Sequence, residues 1–148
     1  MKKMIAIVGT VAALFLLNGC GGGVISYYDE PEITYYLQSY DDVTGRYEGV
    51  ADVYYECGRD IVGYTDSRGA FSLYDGDSCR FYDLDDTVSY EYDRLYISAT
   101  PSGSYAVGDV PYDCASGWNG ITDTNGMFIF DPAYLNSVSN GDICTLYL

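Results

Sequence analysis

The chain has 148 residues and is strongly acidic, with 22 Asp and Glu against 7 Lys and Arg, no histidine, and a formal net charge of −15. A field of that sign repels phosphate backbones and argues against nucleic-acid binding. The lack of histidine excludes Ser-His-Asp and Cys-His catalysis. Acidity alone can indicate disorder, but 18 Tyr and 5 Phe supply the apolar surface that a folded core needs.

The first residues have the pattern of an export signal. Lys2 and Lys3 precede an apolar run over residues 4–17, too short to span a bilayer, and Gly19 and Cys20 follow it. The stretch Leu17-Asn18-Gly19-Cys20 resembles the lipobox of bacterial lipoproteins, in which the cysteine is acylated and begins the mature chain. The resemblance implies a signal peptide over residues 1–19 and a lipid anchor on Cys20. An ordinary signal peptide, in which Cys20 has no role, is the alternative.

Residues 20–32 are expected to form a lipid-anchored, flexible tether, because three glycines follow Cys20 directly. Since Gly21 is not Asp, the lipoprotein resemblance implies the outer membrane or the cell surface. The mature chain would keep five Arg and all 22 acidic residues, a side-chain charge of −17. Anionic lipid would repel that charge, so contact with the membrane is expected through the acyl chains alone.

One segment of the chain occurs twice. Between Val50 and Phe71, 10 of 22 positions are identical to the residue 57 further on. Beyond Phe71 the offset grows to 65, so the second copy contains 8 extra residues. Sequence identity at a fixed offset indicates that one structural unit occurs twice in the chain. We place the first β repeat at residues 33–86 and the second at residues 87–148.

Four cysteines remain once Cys20 is assigned to the anchor, and outside the cytosol such cysteines form disulfides. Four cysteines allow three pairings. The repeat favours one bridge within each copy, Cys57 with Cys79 and Cys114 with Cys144. Metal thiolates are the poorer alternative, because the sequence has no Cys-x-x-Cys spacing and no histidine.

After the signal no segment has a convincing 3.6-residue apolar period, so an all-β fold is predicted. Aromatic and β-branched runs predict strands at 33–40, 50–57, 63–65, 70–74 and 78–84, and again at 95–100, 110–114, 127–130 and 143–148. Residues 133–140 are expected to form a loop or a single helical turn. We expect two small, tandem, disulfide-linked antiparallel β-sandwich-like repeats that share an interface. A single sandwich built from both copies is the alternative.

A short turn motif recurs in both copies. Asp66 at the first position of a type I turn should accept hydrogen bonds from backbone N–H groups, and Gly69 at the fourth should take a left-handed conformation. This pattern predicts a tight hairpin with Phe71 pointing into the core. The motif comprises Thr65, Asp66, Gly69 and Phe71, and then Thr122, Asp123, Gly126 and Phe128.

Each motif follows a Val-x-Tyr-x-Cys run, and the whole pattern resembles the carboxypeptidase-regulatory-like and other immunoglobulin-like β-sandwich modules of bacterial surface proteins. In those modules the Thr-Asp-x-x-Gly-x-Phe stretch marks the central hairpin. The resemblance implies a structural or binding module without catalytic residues.

Several of the 18 tyrosines must be exposed. The pairs Tyr35-Tyr36 and Tyr54-Tyr55 place one ring on each face of a strand, and exposed tyrosine suits recognition of glycans or proteins. We therefore expect ligand contacts at Tyr36, at Tyr54, and at Trp118 in the loop after Cys114. Cross-strand pairing of the rings is the alternative, and for Trp118 capping of the core is the favoured interpretation.

No metal site and no cofactor are predicted. Calcium is the alternative, because Asp75-Gly-Asp77 and Asp83-x-Asp85-Asp86 bring oxygen ligands together, although the chain has no complete calcium-binding loop motif. The expected function is that of a non-enzymatic cell-envelope lipoprotein, active in adhesion or as a scaffold, with an envelope protein or a glycan as partner. A glycan- or calcium-binding surface module is the alternative, and a glycosidase using paired carboxylates is a remote one.

Overall fold

The computed structural model describes residues 3–7, 25–29, 31–135 and 140–148. The chain divides into two compact units, Met1–Glu32 and Ile33–Leu148. In the first unit, β1 (Lys3–Ile7) and β2 (Ile25–Asp29) form a two-stranded antiparallel sheet. Cys20 and the three glycines after it lie outside the described residues.

Among the described residues of the second unit, the regular structure consists of strands, so the all-β prediction is confirmed. The strands of the first copy are β3 (Glu32–Asp41), β4 (Arg46–Gly49), β5 (Tyr54–Cys57), β6 (Ile61–Tyr64), β7 (Ala70–Tyr74) and β8 (Ser78–Leu84). Those of the second copy are β9 (Arg94–Ser98), β10 (Pro111–Cys114), β11 (Asn119–Ile121), β12 (Met127–Ile129) and β13 (Asp142–Tyr147). Within the described parts of the chain, no helix is long and apolar enough to cross a membrane.

These strands form two antiparallel sheets, and each sheet contains strands of both copies. The six-stranded sheet has the order β11-β10-β13-β8-β5-β6. The five-stranded sheet has the order β12-β9-β3-β4, with β7 also paired to β3. The two copies therefore meet inside the sheets, at β3–β9 in one and at β8–β13 in the other.

Equivalent residues of the two copies face each other at both meeting points. In the five-stranded sheet Leu37 pairs with Ile97. Each of these two residues donates its N–H to the turn glycine of its own copy, Gly69 or Gly126, at 2.8 and 3.0 Å. Leu37 in β3 and Ile97 in β9 thus hold the turn of their own copy in the same way.

In the six-stranded sheet Arg80 pairs with Thr145, 65 positions later, which is the offset that separates the two copies in this region. Antiparallel pairing of equivalent residues relates the copies by an approximate two-fold axis through both pairs. The interface expected between the repeats is therefore the centre of each sheet.

A single apolar core lies between the sheets and includes residues of both copies. Phe71 from the five-stranded sheet packs edge-on against Phe81 from the six-stranded sheet, with ring centroids 4.9 Å apart. Phe128 and Leu146 of the second copy are fully buried in the same cluster. The prediction that Phe71 and Phe128 point into the core is confirmed. The copies thus form one β-sandwich-like unit.

Both predicted disulfides are confirmed. Cys57 lies directly opposite Cys79 in the β5–β8 pair, and Cys114 lies directly opposite Cys144 in the β10–β13 pair. All four sulfur-bearing residues are buried. Each bridge therefore joins neighbouring strands of the six-stranded sheet within one copy.

Strand boundaries differ from the prediction where the backbone turns. β5 begins at Tyr54 rather than at Val50, because Asp52 has a φ of 62° and interrupts the extended chain. Asp109 has a φ of 61° before β10. The short strands β4 and β11 were not predicted. In the predicted loop at 133–140, Leu135 bridges Asn140, and residues 136–139 lie outside the described residues.

The turn at residues 66–69 is confirmed, but the hairpin predicted around it is wrong. β6 before the turn pairs with β5 in the six-stranded sheet, whereas β7 after the turn pairs with β3 in the five-stranded sheet. In the second copy, β11 and β12 likewise belong to different sheets. The motif specifies a local turn, but the partner of the strand that follows depends on distant residues, here those of β3 and β9.

Candidate functional site

Three tyrosines cluster on the outer face of the six-stranded sheet, on β5, β6 and β8. Tyr54 pairs directly with Tyr64, and their ring centroids are 5.3 Å apart. Tyr82 lies 5.4 Å from Tyr54. Side chains alternate between the faces of a strand. Because Tyr55 and Phe81 point into the core, their neighbours Tyr54 and Tyr82 point outward.

Glu56 holds two of these rings in place. The hydroxyl of Tyr54 donates to its Oε2 at 3.0 Å, and the hydroxyl of Tyr82 donates to its Oε1 at 2.9 Å. The hydrogen bond to Glu56 raises the pKa of Tyr54 above its usual value of 10. The phenol therefore stays protonated, and acts as a donor, throughout the physiological pH range.

The tyrosines line a groove of about 730 Å³, which we call the tyrosine groove. Its lining contains four carboxylates and no basic side chain. A volume of this size is typical of ligand sites, which span roughly 300–1,000 Å³. The lining residues are Ala51, Asp52, Val53, Tyr54, Glu56, Tyr64, Tyr82, Asp83, Asp85, Thr87 and Val88.

Hydrogen bonds to the backbone fix the acidic rim of the groove. Asp85 Oδ1 accepts from the N–H of Thr87 at 2.9 Å and from its hydroxyl at 2.5 Å. Asp83, at a φ of 58°, accepts from the N–H of Asn140 at 3.2 Å. These bonds orient the carboxylates of the rim.

A second cleft of about 390 Å³ adjoins the tyrosine groove and shares Ala51, Thr87 and Val88 with it. Glu48 and Tyr90 contribute a further carboxylate and a further aromatic ring. The two depressions therefore follow one another along the surface and repeat the same chemistry.

The three residues predicted as ligand contacts do not meet in the structure. Tyr54 lines the tyrosine groove. Tyr36 lies on β3 in the other sheet, where the Arg68 guanidinium carbon is 5.6 Å from its ring centroid. Trp118 precedes β11, at the opposite edge of the six-stranded sheet from β6. Its side chain is 49% exposed and lies outside the core, so the capping role favoured for it is wrong.

Tyr64, Tyr82 and Glu56 were missed by the sequence analysis. Alternation in β5 places Tyr54 and Glu56 on one face, and the sequence contains that signal. The register of β5 against β6 and β8 adds Tyr64 and Tyr82, and that register is not readable from the local pattern.

One cluster of potential metal ligands lies within the described residues: Cys114, Asp142 and Cys144. The two sulfurs are joined in a disulfide and offer no thiolate. The buried Asp142 carboxylate accepts four hydrogen bonds, from the N–H groups of Ser116, Asp131 and Ile143 and from the Ser116 hydroxyl. The chemistry of this donor set fits a structural anchor between loops rather than a metal site.

Three of the five carboxylates considered for calcium, those of Asp77, Asp83 and Asp85, accept hydrogen bonds from backbone N–H groups. Asp77 Oδ2 accepts from the N–H of Tyr74 at 3.1 Å, as Asp142 accepts from that of Asp131 in the second copy. Asp85 accepts from Thr87 in the same manner. Turn chemistry thus accounts for Asp77 and Asp85 at their present positions.

No protein-family model, curated protein or solved structure matches the chain.

Proposed function

We propose that this protein is a non-enzymatic binding module of the cell envelope, held at the outer membrane or cell surface by a lipid on Cys20, and that it acts in adhesion or as a scaffold. The observation that carries the proposal is the tyrosine groove. Tyrosine rings provide rigid, amphipathic contact area at low entropic cost, and Glu56 already holds two of them in position.

The envelope location is supported by two independent features. The stretch ending at Cys20 resembles a lipobox, which would make Cys20 an acylation site directly before three glycines. The two buried disulfides fit an oxidising compartment, where such bonds persist.

A binding rather than a catalytic role is supported by the chemistry of the exported chain. It contains no histidine and, past the signal, no lysine, so imidazole general bases and Schiff-base nucleophiles are missing. The carboxylates of Asp83 and Asp85 at the groove rim already accept hydrogen bonds from backbone N–H groups.

Membrane attachment is tested by fractionating bacterial cells that express the full-length chain. The wild-type protein should be found in the membrane fraction with an acylated N-terminal cysteine detectable by mass spectrometry. Cys20→Ala should move the protein into the soluble exported fraction. Equal membrane retention of both forms would contradict the anchor.

Binding is tested with full-length protein in neutral detergent, applied to arrays of envelope glycans and to purified envelope proteins. Tyr64→Ala should weaken the binding of any true ligand, whereas Tyr105→Ala should not. These two side chains are 67% and 69% exposed, and Tyr105 lies outside the groove lining. The absence of a ligand in all arrays would argue for a purely structural role and against the proposal.

A further inference from the structure

We propose that the tyrosine groove and its adjoining cleft bind an extended basic peptide segment of a partner protein, with Lys or Arg side chains placed over the tyrosine rings. This inference rests on the proposed binding function and specifies the chemistry of the partner.

The charge of the lining selects a cation. The two depressions together present five carboxylates, on Glu48, Asp52, Glu56, Asp83 and Asp85. Arg80, which lies opposite Glu56 in the β5–β8 pair, offsets one of these charges and leaves the lining net negative. Low-dielectric walls concentrate the field of such a cleft and raise the local concentration of ions of opposite sign. A neutral glycan would make no use of this field, and an anionic one would be repelled by it.

The aromatic rings favour a cationic side chain in particular. A guanidinium or ammonium group is attracted to the face of a tyrosine ring, and the attraction grows when the cation is partly desolvated in a cleft. The same contact already occurs elsewhere in this protein, where Arg68 lies 5.6 Å from the ring centroid of Tyr36. In the groove, the exposed ring of Tyr64 packs against Tyr54 and, among the described residues, has no cation over its face.

The shape of the site favours a chain over a small cation. The two depressions share three lining residues and have volumes of about 730 and 390 Å³. Tyr64 lines only the first depression and Tyr90 only the second, and both rings are exposed. Several cationic side chains on one backbone would occupy both depressions at once, which a single small cation cannot do.

A second copy of this chain is a poor occupant. The exported chain carries five Arg against 22 acidic residues, so two copies repel each other at this face. The N-terminal segment that follows Cys20 has no basic residue before Arg46 and is equally unsuited.

The test is calorimetric titration of the full-length protein in neutral detergent with hexalysine, with a neutral Gly-Ser hexapeptide and with spermine. Hexalysine should bind, more tightly than spermine, and the neutral peptide should not bind. Tyr64→Ala should weaken hexalysine binding by about two- to fivefold, the range expected for one exposed cation–π contact, and Tyr105→Ala should leave it unchanged.

Charge variants separate the groove from the general field of an acidic protein. Asp85→Asn and Asp42→Asn each remove one negative charge, but only Asp85 lines the groove. Asp85→Asn should weaken hexalysine binding more than Asp42→Asn does. Circular dichroism of each variant verifies the fold before titration.

The inference would be overturned if Tyr64→Ala and Tyr105→Ala, or Asp85→Asn and Asp42→Asn, changed hexalysine binding equally. It would also be overturned if spermine bound as tightly as hexalysine. If a neutral glycan binds in a Tyr64-dependent manner and hexalysine does not, the basic-peptide inference is wrong while the proposed binding function stands. If neither cations, glycans nor envelope proteins bind, both proposals are wrong.

Discussion

At the scale of single residues, the threonine of each turn motif connects two backbone segments in the same way in both copies. The Thr65 hydroxyl accepts from the N–H of Val53 at 3.0 Å and donates to the carbonyl of Val50 at 2.6 Å. Thr122 makes the equivalent bonds to Val110 and Val107, both at 3.0 Å. Because both threonines are buried, water cannot replace their hydroxyls without rearrangement.

Replacing Thr65 or Thr122 by Val should lower the free energy of unfolding by about 1–3 kcal/mol, because each change leaves a buried backbone N–H and carbonyl with one partner fewer. Urea unfolding followed by circular dichroism measures the loss. Thr145→Val is the matched control, since Thr145 is only half-buried on the outer face of a strand. A loss at Thr145 as large as that at Thr65 would contradict the role of the buried hydroxyl.

Asp66 should stabilise the fold in a pH-dependent manner. Hydrogen bonds from the backbone N–H of Ala70, then from that of Arg68 and from its side chain, lower the pKa of Asp66 below its ordinary value. A group with a lowered folded-state pKa contributes stability above its unfolded pKa and loses it as pH falls through the folded value. Asp66→Ala should therefore be less stable than wild type at pH 7.

The stability difference between wild type and Asp66→Ala should shrink as the pH falls below about 4, the ordinary aspartate pKa. Denaturant unfolding between pH 2.5 and 7, as a chosen range, measures it. Asp42→Ala, in the exposed turn between β3 and β4, is the control and should show a smaller dependence. A constant difference for Asp66→Ala across this range would contradict the effect.

At the scale of elements, the glycine that ends each motif turn lies where two segments approach closely. A Cβ at Gly69 would lie 2.0 Å from the carbonyl oxygen of Leu37, and one at Gly126 would lie 2.3 Å from that of Ile97. Both glycines also have positive φ values, 78° and 75°. The turn can therefore pack against β3 or β9 only if no side chain is present.

Gly69→Ala should destabilise the protein far more than Gly76→Ala. Gly76 has a φ of 84°, but a Cβ there would meet nothing within 4 Å, so only the left-handed strain of about 1–2 kcal/mol applies. At Gly69 the clash with backbone adds to the same strain. Thermal unfolding compares the two variants, and equal shifts in Tm would contradict the close approach.

Local features of the fold were predictable from the sequence, and distant pairings were not. The Asp-x-x-Gly turn and the two disulfides followed from residue types and from the repeat. The partner of β7 could not be predicted in this way, because that strand pairs with β3, more than 25 residues earlier in the chain. For the same reason, Tyr54 was a candidate contact by alternation, whereas Tyr64 and Tyr82 joined it only through strand register.

At the scale of the whole molecule, the shared sheets and core should make unfolding a single cooperative event. Removing one bridge by Cys114→Ala with Cys144→Ala should cost roughly 2–5 kcal/mol, since a closed loop no longer constrains the unfolded chain. Calorimetry should still show one transition, at lower temperature, and the Cys57/Cys79 double variant should behave alike. Two separate transitions, one per copy, would contradict the single core.

Alkaline conditions should also destabilise the whole molecule. Burial, followed by the hydrogen bond to Glu91, raises the pKa of Tyr96 above the ordinary value of 10. The unfolded chain then loses this proton first, so the stability that Tyr96 contributes is full below pH 10 and is lost as pH rises above it.

Tyr96→Phe should therefore reduce the decline of the unfolding free energy between about pH 10 and pH 11.5, the region above the ordinary tyrosine pKa. Denaturant unfolding across this range measures the slope. Tyr105→Phe, which alters an exposed ring, is the control and should leave the slope unchanged. An unchanged slope for Tyr96→Phe would contradict the effect of burial.

The approximate two-fold relation between the copies has a consequence for assembly. A half-length fragment would expose the free edges of its β3-like and β8-like strands and would need a second fragment to cover them. Joining both halves in one polypeptide makes that encounter intramolecular, at an effective concentration on the order of millimolar. The β-sandwich can therefore fold within one polypeptide at low protein concentration, because its formation does not require a second molecule.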